Sequence, residues 1–167
     1  IMVYTNVIAY ITIDTTGNAT DVGHLLAANS SVSGVSNNTR GLYFGGYTTA
    51  SSNVIQYVTI ATTGNATDFG DLTEVAKNSP MAVASETRAC FAGGYGVSNF
   101  RDTIDYVTIA TTGNATDFGD LTFARQGNAV DNDSRGVFSE TSYPDNKMDY
   151  ITISTLGNAA EFGEQTV

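Results

Sequence analysis

The chain has 167 residues, of which 41% are hydrophobic and only 14% charged, and 17 acids against 7 bases give a net charge of −10. That apolar share supports a core and excludes disorder as the reading. Without a Lys/Arg cluster, the acidic balance excludes nucleic acid, whose phosphates need clustered cations, and disfavours an anionic membrane surface.

No stretch approaches the roughly 20 apolar residues of a membrane span, so membrane insertion is not expected. Cys90 is the only cysteine, which leaves no internal disulfide, and its neighbours Ala89, Phe91 and Ala92 predict a buried core position. Gly, Ser, Thr and Asn are plentiful, a make-up suited to short strands, tight turns and surfaces solvated by hydroxyls and amides. Such surfaces are common on extracellular and virion proteins.

In chain order, Ile8 to Leu25 reads as a loose copy of the segment Ile55 to Thr73, which returns almost letter for letter as Ile104 to Thr122 and loosely as Met148 to Gln165. The Gly-Asn pairs begin at Gly17, Gly64, Gly113 and Gly157. A period of roughly 45 to 50 residues marks an array whose units bury their apolar faces only against neighbours. The expected division is a single array over 1–167, with a partial repeat at 1–26 and full repeats at 27–73, 74–122 and 123–167. The chain opens on Ile1 in mid-repeat, as expected of a piece of a longer or processed chain.

The repeat at 74–122 shows the elements best. Met81 to Ala84 is a run of strand length, and the turn-like Ser85 to Arg88 leads to a second strand, Ala89 to Ala92, closed by Gly93-Gly94-Tyr95. A polar loop, Gly96 to Thr103, precedes Ile104 to Ile109, whose apolar/polar alternation predicts a half-buried third strand. Thr111 to Asn114 is turn chemistry, since Gly and Asn tolerate positive φ. Ala115 to Leu121 makes the fourth strand. No segment keeps a 3.6-residue period, so the fold class is all-β, with four-stranded antiparallel units.

A four-stranded unit at this period suits a β-propeller blade. The residues that carry a resemblance to the kelch repeat are Gly45-Gly46 and Gly93-Gly94 closing the second strand, Tyr57 and Tyr106 in the third, and Phe69 and Phe118 in the fourth where a Trp is usual. Arg40, Arg88 and Arg135 precede the second strand each time. The last unit reads Ser139-Glu140-Thr141 in place of the diglycine. The near-identity of Tyr57–Thr73 and Tyr106–Thr122 points to recent duplication. This wording also resembles repeat proteins of marine bacteriophages, a resemblance that implies a virion structural or tail-fibre role.

Three full units and the last two strands of another fall short of the four to eight blades of a usual ring. Exposed strand edges invite pairing. A heterologous contact between copies closes into a ring or grows into a filament. Self-association through strand edges or neighbouring blades is therefore expected.

Catalytic chemistry is poorly supplied. His24, the only histidine, takes the place of Asp71 and Asp120 in the neighbouring units, at a variable, surface-like position. A triad needs nucleophile, base and orienter to converge. One His and one Cys supply neither a zinc site nor the ligand set of the copper oxidases built on kelch-like propellers. The expectation is no enzyme, no cofactor and no metal. A calcium site at Thr67 to Asp71 or Thr116 to Asp120 needs a bulge at the intervening Gly, because carboxylates three apart on a strand face opposite ways; solvated strand-end acids are the simpler reading. Asn18, Asn65 and Asn114 fit the glycosylation sequon, in turns that want Asn and Thr for backbone reasons.

Binding is better placed than catalysis. The loops after the second strand, Thr48 to Asn53, Gly96 to Thr103 and Thr141 to Lys147, differ most between copied units, which is where a rigid scaffold carries specificity. The candidate binding residues are Tyr47, Tyr95, Asn99, Phe100, Arg101 and Tyr143, with Tyr47 and Tyr95 equally suited to packing between units. Aromatic rings with polar tips suit a cell-surface glycan or a protein partner. The expected function is a structural and adhesive protein of a virion or extracellular filament, such as a tail fibre. The alternative is an intracellular kelch-type protein-interaction module.

Overall fold

The computed structural model describes residues 4–74, 79–140 and 146–166, apart from the side chain of Glu140. A hairpin of β1 (Thr5–Tyr10) and β2 (Thr20–Asn29) comes first. The first sheet contains β3 (Ser33–Ser36), β4 (Arg40–Phe44), β5 (Val54–Thr59) and β6 (Thr67–Asp71) in sequence order. The middle sheet contains β7 (Met81–Ala84), β8 (Arg88–Ala92), β9 (Thr103–Thr108) and β10 (Thr116–Asp120). The last sheet contains β11 (Gly127–Asp131), β12 (Arg135–Glu140), β13 (Lys147–Thr152) and β14 (Ala160–Glu164). Every pairing is antiparallel, and no helix occurs among the described residues. The arrangement is compatible with successive propeller blades, and the stack does not close on itself.

No sheet carries its own core. One cluster joins Leu42, Phe44 and Phe69 of the first sheet to Phe91, Val107 and Ile109 of the middle one. A second joins Val83, Cys90 and Phe118 of the middle sheet to Phe138, Ile151 and Ile153 of the last. Period-2 alternation along β8 explains both, because Ala89 and Phe91 face one neighbour while Cys90 and Ala92 face the other. Phe44 and Phe91 meet across the first gap with ring centroids 4.1 Å apart. Each such buried ring stabilises by roughly 1.5–3 kcal/mol.

The middle sheet is therefore covered on both faces, which corrects the half-buried reading of its third strand. Asp105 is fully buried, and it accepts hydrogen bonds from Thr73 N–H at 3.2 Å and Thr73 Oγ1 at 2.5 Å. Asp149 does the same for Thr122 N–H at 2.9 Å. Gln56 is the counterpart in the first sheet, where its Oε1 accepts from Leu26 N–H at 2.8 Å.

In every unit the pairing of third and fourth strands slips by one residue, leaving Val22, Phe69, Phe118 and Phe162 without a cross-strand partner. The bulge pivots on a glycine with positive φ, +146° at Gly70 and +145° at Gly119. It seats the ring edge-on to the tyrosine of the third strand, at 5.9 Å for Tyr57–Phe69 and 6.1 Å for Tyr106–Phe118. The repeated arginines complete this stack: Arg40, Arg88 and Arg135 lie 4.5, 4.5 and 4.6 Å over Tyr57, Tyr106 and Tyr150. Arg40 and Arg88 then reach into the next sheet, donating at 2.7 Å to the carbonyls of Ile109 and Ile153.

The Gly-Asn pairs work differently from the turn expected of them. Gly64 and Gly113 take φ of +153° and +155°, but no such Asn adopts positive φ. Three of the four Asn instead join their sheet to the preceding fourth strand. Asn65 Oδ1 accepts from His24 N–H, Asn114 Oδ1 from Asp71 N–H and Asn158 Oδ1 from Asp120 N–H, all at 3.1 Å. On either side of Asn114, Gly113 N–H donates to Phe69 O and Ala115 N–H to Asp71 O, both at 2.7 Å. Gly64 and Ala66 repeat these bonds on β2, and Gly157 and Ala159 repeat them on β10. A Cβ at Gly70 would lie 2.4 Å from Gly113 O, so the outer strand needs glycine there for the knob to seat.

Candidate functional site

The loop after β8 begins where Gly93 and Gly94 take left-handed φ of +62° and +94°, which turns the chain off the strand. Gly93 N–H donates to Thr103 O at 3.0 Å and Gly94 N–H to Arg125 O at 2.8 Å. The chain returns immediately: Tyr95 bridges Phe100, and Gly96 N–H donates to Asn99 O at 2.8 Å, closing a four-residue turn with Val97 exposed at its tip. The Tyr95 and Phe100 rings meet edge-on at 5.3 Å and both stay exposed. Arg101 folds over Gly96, where a Cβ would lie 2.5 Å from Nε, and pairs by charge with Glu74 at 3.1 Å without a linear hydrogen bond.

The surroundings are acidic. Burial, followed by the charges of Asp102, Asp117 and Glu74, raises the Asp120 carboxyl above its ordinary value. Arg101 is the cation among these acids. The product is an exposed aromatic pair on a hydrogen-bonded turn, with an amide (Asn99), a guanidinium and nearby carboxylates. These groups stack on flat apolar faces and exchange hydrogen bonds with hydroxyls, and no nucleophile–base pair stands among them.

Four of the residues singled out from sequence, Tyr95, Asn99, Phe100 and Arg101, thus share one loop. Tyr47 occupies the corresponding loop of the first sheet but is half-buried, donating its N–H to Ser30 O at 2.8 Å and accepting from Ser30 N–H at 3.0 Å. Tyr143 lies outside the described residues, as does most of its loop. The last sheet has no diglycine, and β12 runs on to Glu140.

Elsewhere the chemistry-bearing residues have packing roles. Cys90 is buried, and desolvation pushes its thiol up to about 12, with Arg88 opposing. His24 contributes its main-chain N–H to the first junction, so its side chain is free to differ from Asp71 and Asp120. The bulge that would bring paired acids together is present in each fourth strand. Among the described residues, however, no three His, Cys, Asp or Glu side chains gather as metal ligands.

Sequence reasoning missed the buried pair between middle and last sheets. Arg125 and Asp149 are both fully buried and meet at 2.5 Å, with Arg125 Nη1 donating to Lys147 O at 2.9 Å and Phe123 beneath the guanidinium at 3.7 Å. The available signal was an acid at the same place in two corresponding third strands, Asp105 and Asp149, each followed by Tyr and flanked by apolar residues.

No protein-family model and no curated protein sequence matches the chain.

Proposed function

We propose that this chain is a non-enzymatic structural and adhesive protein, a kelch-like propeller array of a virion, tail fibre or comparable extracellular filament. Its loops bind a cell-surface glycan or protein, and its copies associate with one another. The observation that carries this reading is the exposed, internally hydrogen-bonded turn bearing Tyr95, Asn99, Phe100 and Arg101 on a scaffold whose other distinctive residues serve contacts between sheets. A preformed turn loses little conformational entropy on binding, and its edge-on rings offer a platform for a sugar face. One such site binds weakly, and repetition in an assembly raises avidity through effective concentration.

The test is a glycan array and a host-surface protein pull-down probed with the intact chain displayed multivalently, beside Phe100→Ala and Asn99→Ala. The expected result is retention on a defined ligand class that falls at least about tenfold with Phe100→Ala, the loss of one stacked ring and its buried area. Binding unaffected by both substitutions would move the site elsewhere. No retention on any surface ligand would remove the adhesive reading.

A further inference from the structure

The junction that joins one sheet to the next is built three times inside the chain, and both of its halves stand open at the ends of the stack. We infer that these halves are complementary and that each is filled by a second copy of this chain, docked head to tail. This rests on the self-association proposed above and specifies its chemistry.

The outward face of the last sheet repeats the donor side of the internal junctions. Val130 and Phe162 stand at the places of Val83 and Phe118, yet are 68% and 49% exposed where their counterparts are 0% and 3%. Arg135 already lies over Tyr150, as Arg40 and Arg88 lie over Tyr57 and Tyr106, but no following sheet offers a carbonyl to its guanidinium. Gly163 has φ of +150° and open space where its Cβ would be, whereas the same site on Gly70 and Gly119 is filled by the next knob.

The hairpin supplies the other half. Ile13 is 92% exposed at the place where Ile109 and Ile153 are 0% exposed. Gly17, Asn18 and Ala19 repeat the knob sequence and are all exposed, while Ala66 in the first internal knob is buried. By the internal pattern, Gly17 and Ala19 of one copy donate to the carbonyls of Phe162 and Glu164 of the next, and Asn18 Oδ1 accepts from Glu164 N–H. All these contacts lie on third and fourth strands and the segment between them, which the hairpin possesses in full. One internal bond has no counterpart: Ala9 stands where Gln56, Asp105 and Asp149 accept from the preceding unit, and Thr166 occupies the place of Thr73 and Thr122.

The test is sedimentation velocity on the 167-residue chain over a dilution series. Three substitutions on exposed positions accompany it (Ile13→Glu, Phe162→Glu and Ala9→Asp), with folding checked by circular dichroism. The wild type associates as concentration rises. Ile13→Glu and Phe162→Glu each weaken association at least about tenfold by placing a charge in the apolar contact. Mixed in equal amounts, they form heterodimers and nothing larger, because one keeps its socket and the other its knob. Ala9→Asp supplies the missing acceptor to Thr166 and tightens association about two- to tenfold.

Association that neither Glu substitution weakens overturns the junction and leaves assembly to other surfaces. Two monomeric variants that fail to complement overturn its head-to-tail form. A wild type that stays monomeric at every concentration overturns both the junction and the self-association on which it rests.

Discussion

At the scale of single residues, the buried groups set the sharpest expectations. Asp149 is the counter-charge of a fully buried Arg125, so removing it leaves a desolvated cation. Asp149→Ala is expected to cost about 3–5 kcal/mol, read from denaturant midpoints, whereas replacing both partners by apolar residues of like volume costs far less. Cys90 gives a kinetic expectation. Its folded pKa of about 12 exceeds the ordinary 9.0, so folding holds the thiol neutral while the unfolded chain ionises it. Stability linked to this group is therefore level below pH 9 and falls as pH rises from there towards 12. At pH 8 a thiol-specific reagent should label Cys90 only at the rate of unfolding, and immediately in denaturant. Labelling of the native protein at the rate of a free thiol would contradict the burial. The burial of Cys90 was legible from its apolar neighbours. The partner of Asp149 was not, because Arg125 is 24 residues away, in a connecting segment ahead of β11 whose sequence the other copies do not repeat.

At the scale of elements, the strands of the middle unit fall where alternation and turn residues placed them. The positions of Gly-Asn and Thr-Asp-Phe-Gly-Asp were equally plain, but their meaning was not. Turn propensity explains a Gly-Asn pair locally, and only the neighbouring sheet reveals that Asn114 Oδ1 accepts from Asp71 N–H. Asn114→Ala is expected to destabilise by about 0.5–1.5 kcal/mol, and Asn114→Asp, which keeps the acceptor, by less. His24→Asp should be close to neutral, since that position offers the junction its main chain. Thermal or urea unfolding of the three variants checks the order. A neutral Asn114→Ala would return the motif to simple turn chemistry.

At the scale of the whole molecule, the core lies between the sheets and the middle sheet belongs to both clusters. Stability is then a sum over units and nearest-neighbour interfaces, and the ends lack one interface each. Amide exchange should accordingly be slowest in β8 and β9 and fastest in β1 and β14, and head-to-tail docking should slow β1 and β14 at high protein concentration. Uniform protection across the hairpin and all three sheets would contradict this ordering. By itself the sequence determined an all-β chain of repeated four-stranded antiparallel units, because strand alternation, turn residues and period are local properties written into each copy. Only the tertiary structure decided that both faces of the middle sheet are buried and that the repeated Asn and Arg reach across to the adjoining sheet. Those facts depend on which unit lies against which, and near-identical copies carry no mark of their neighbours.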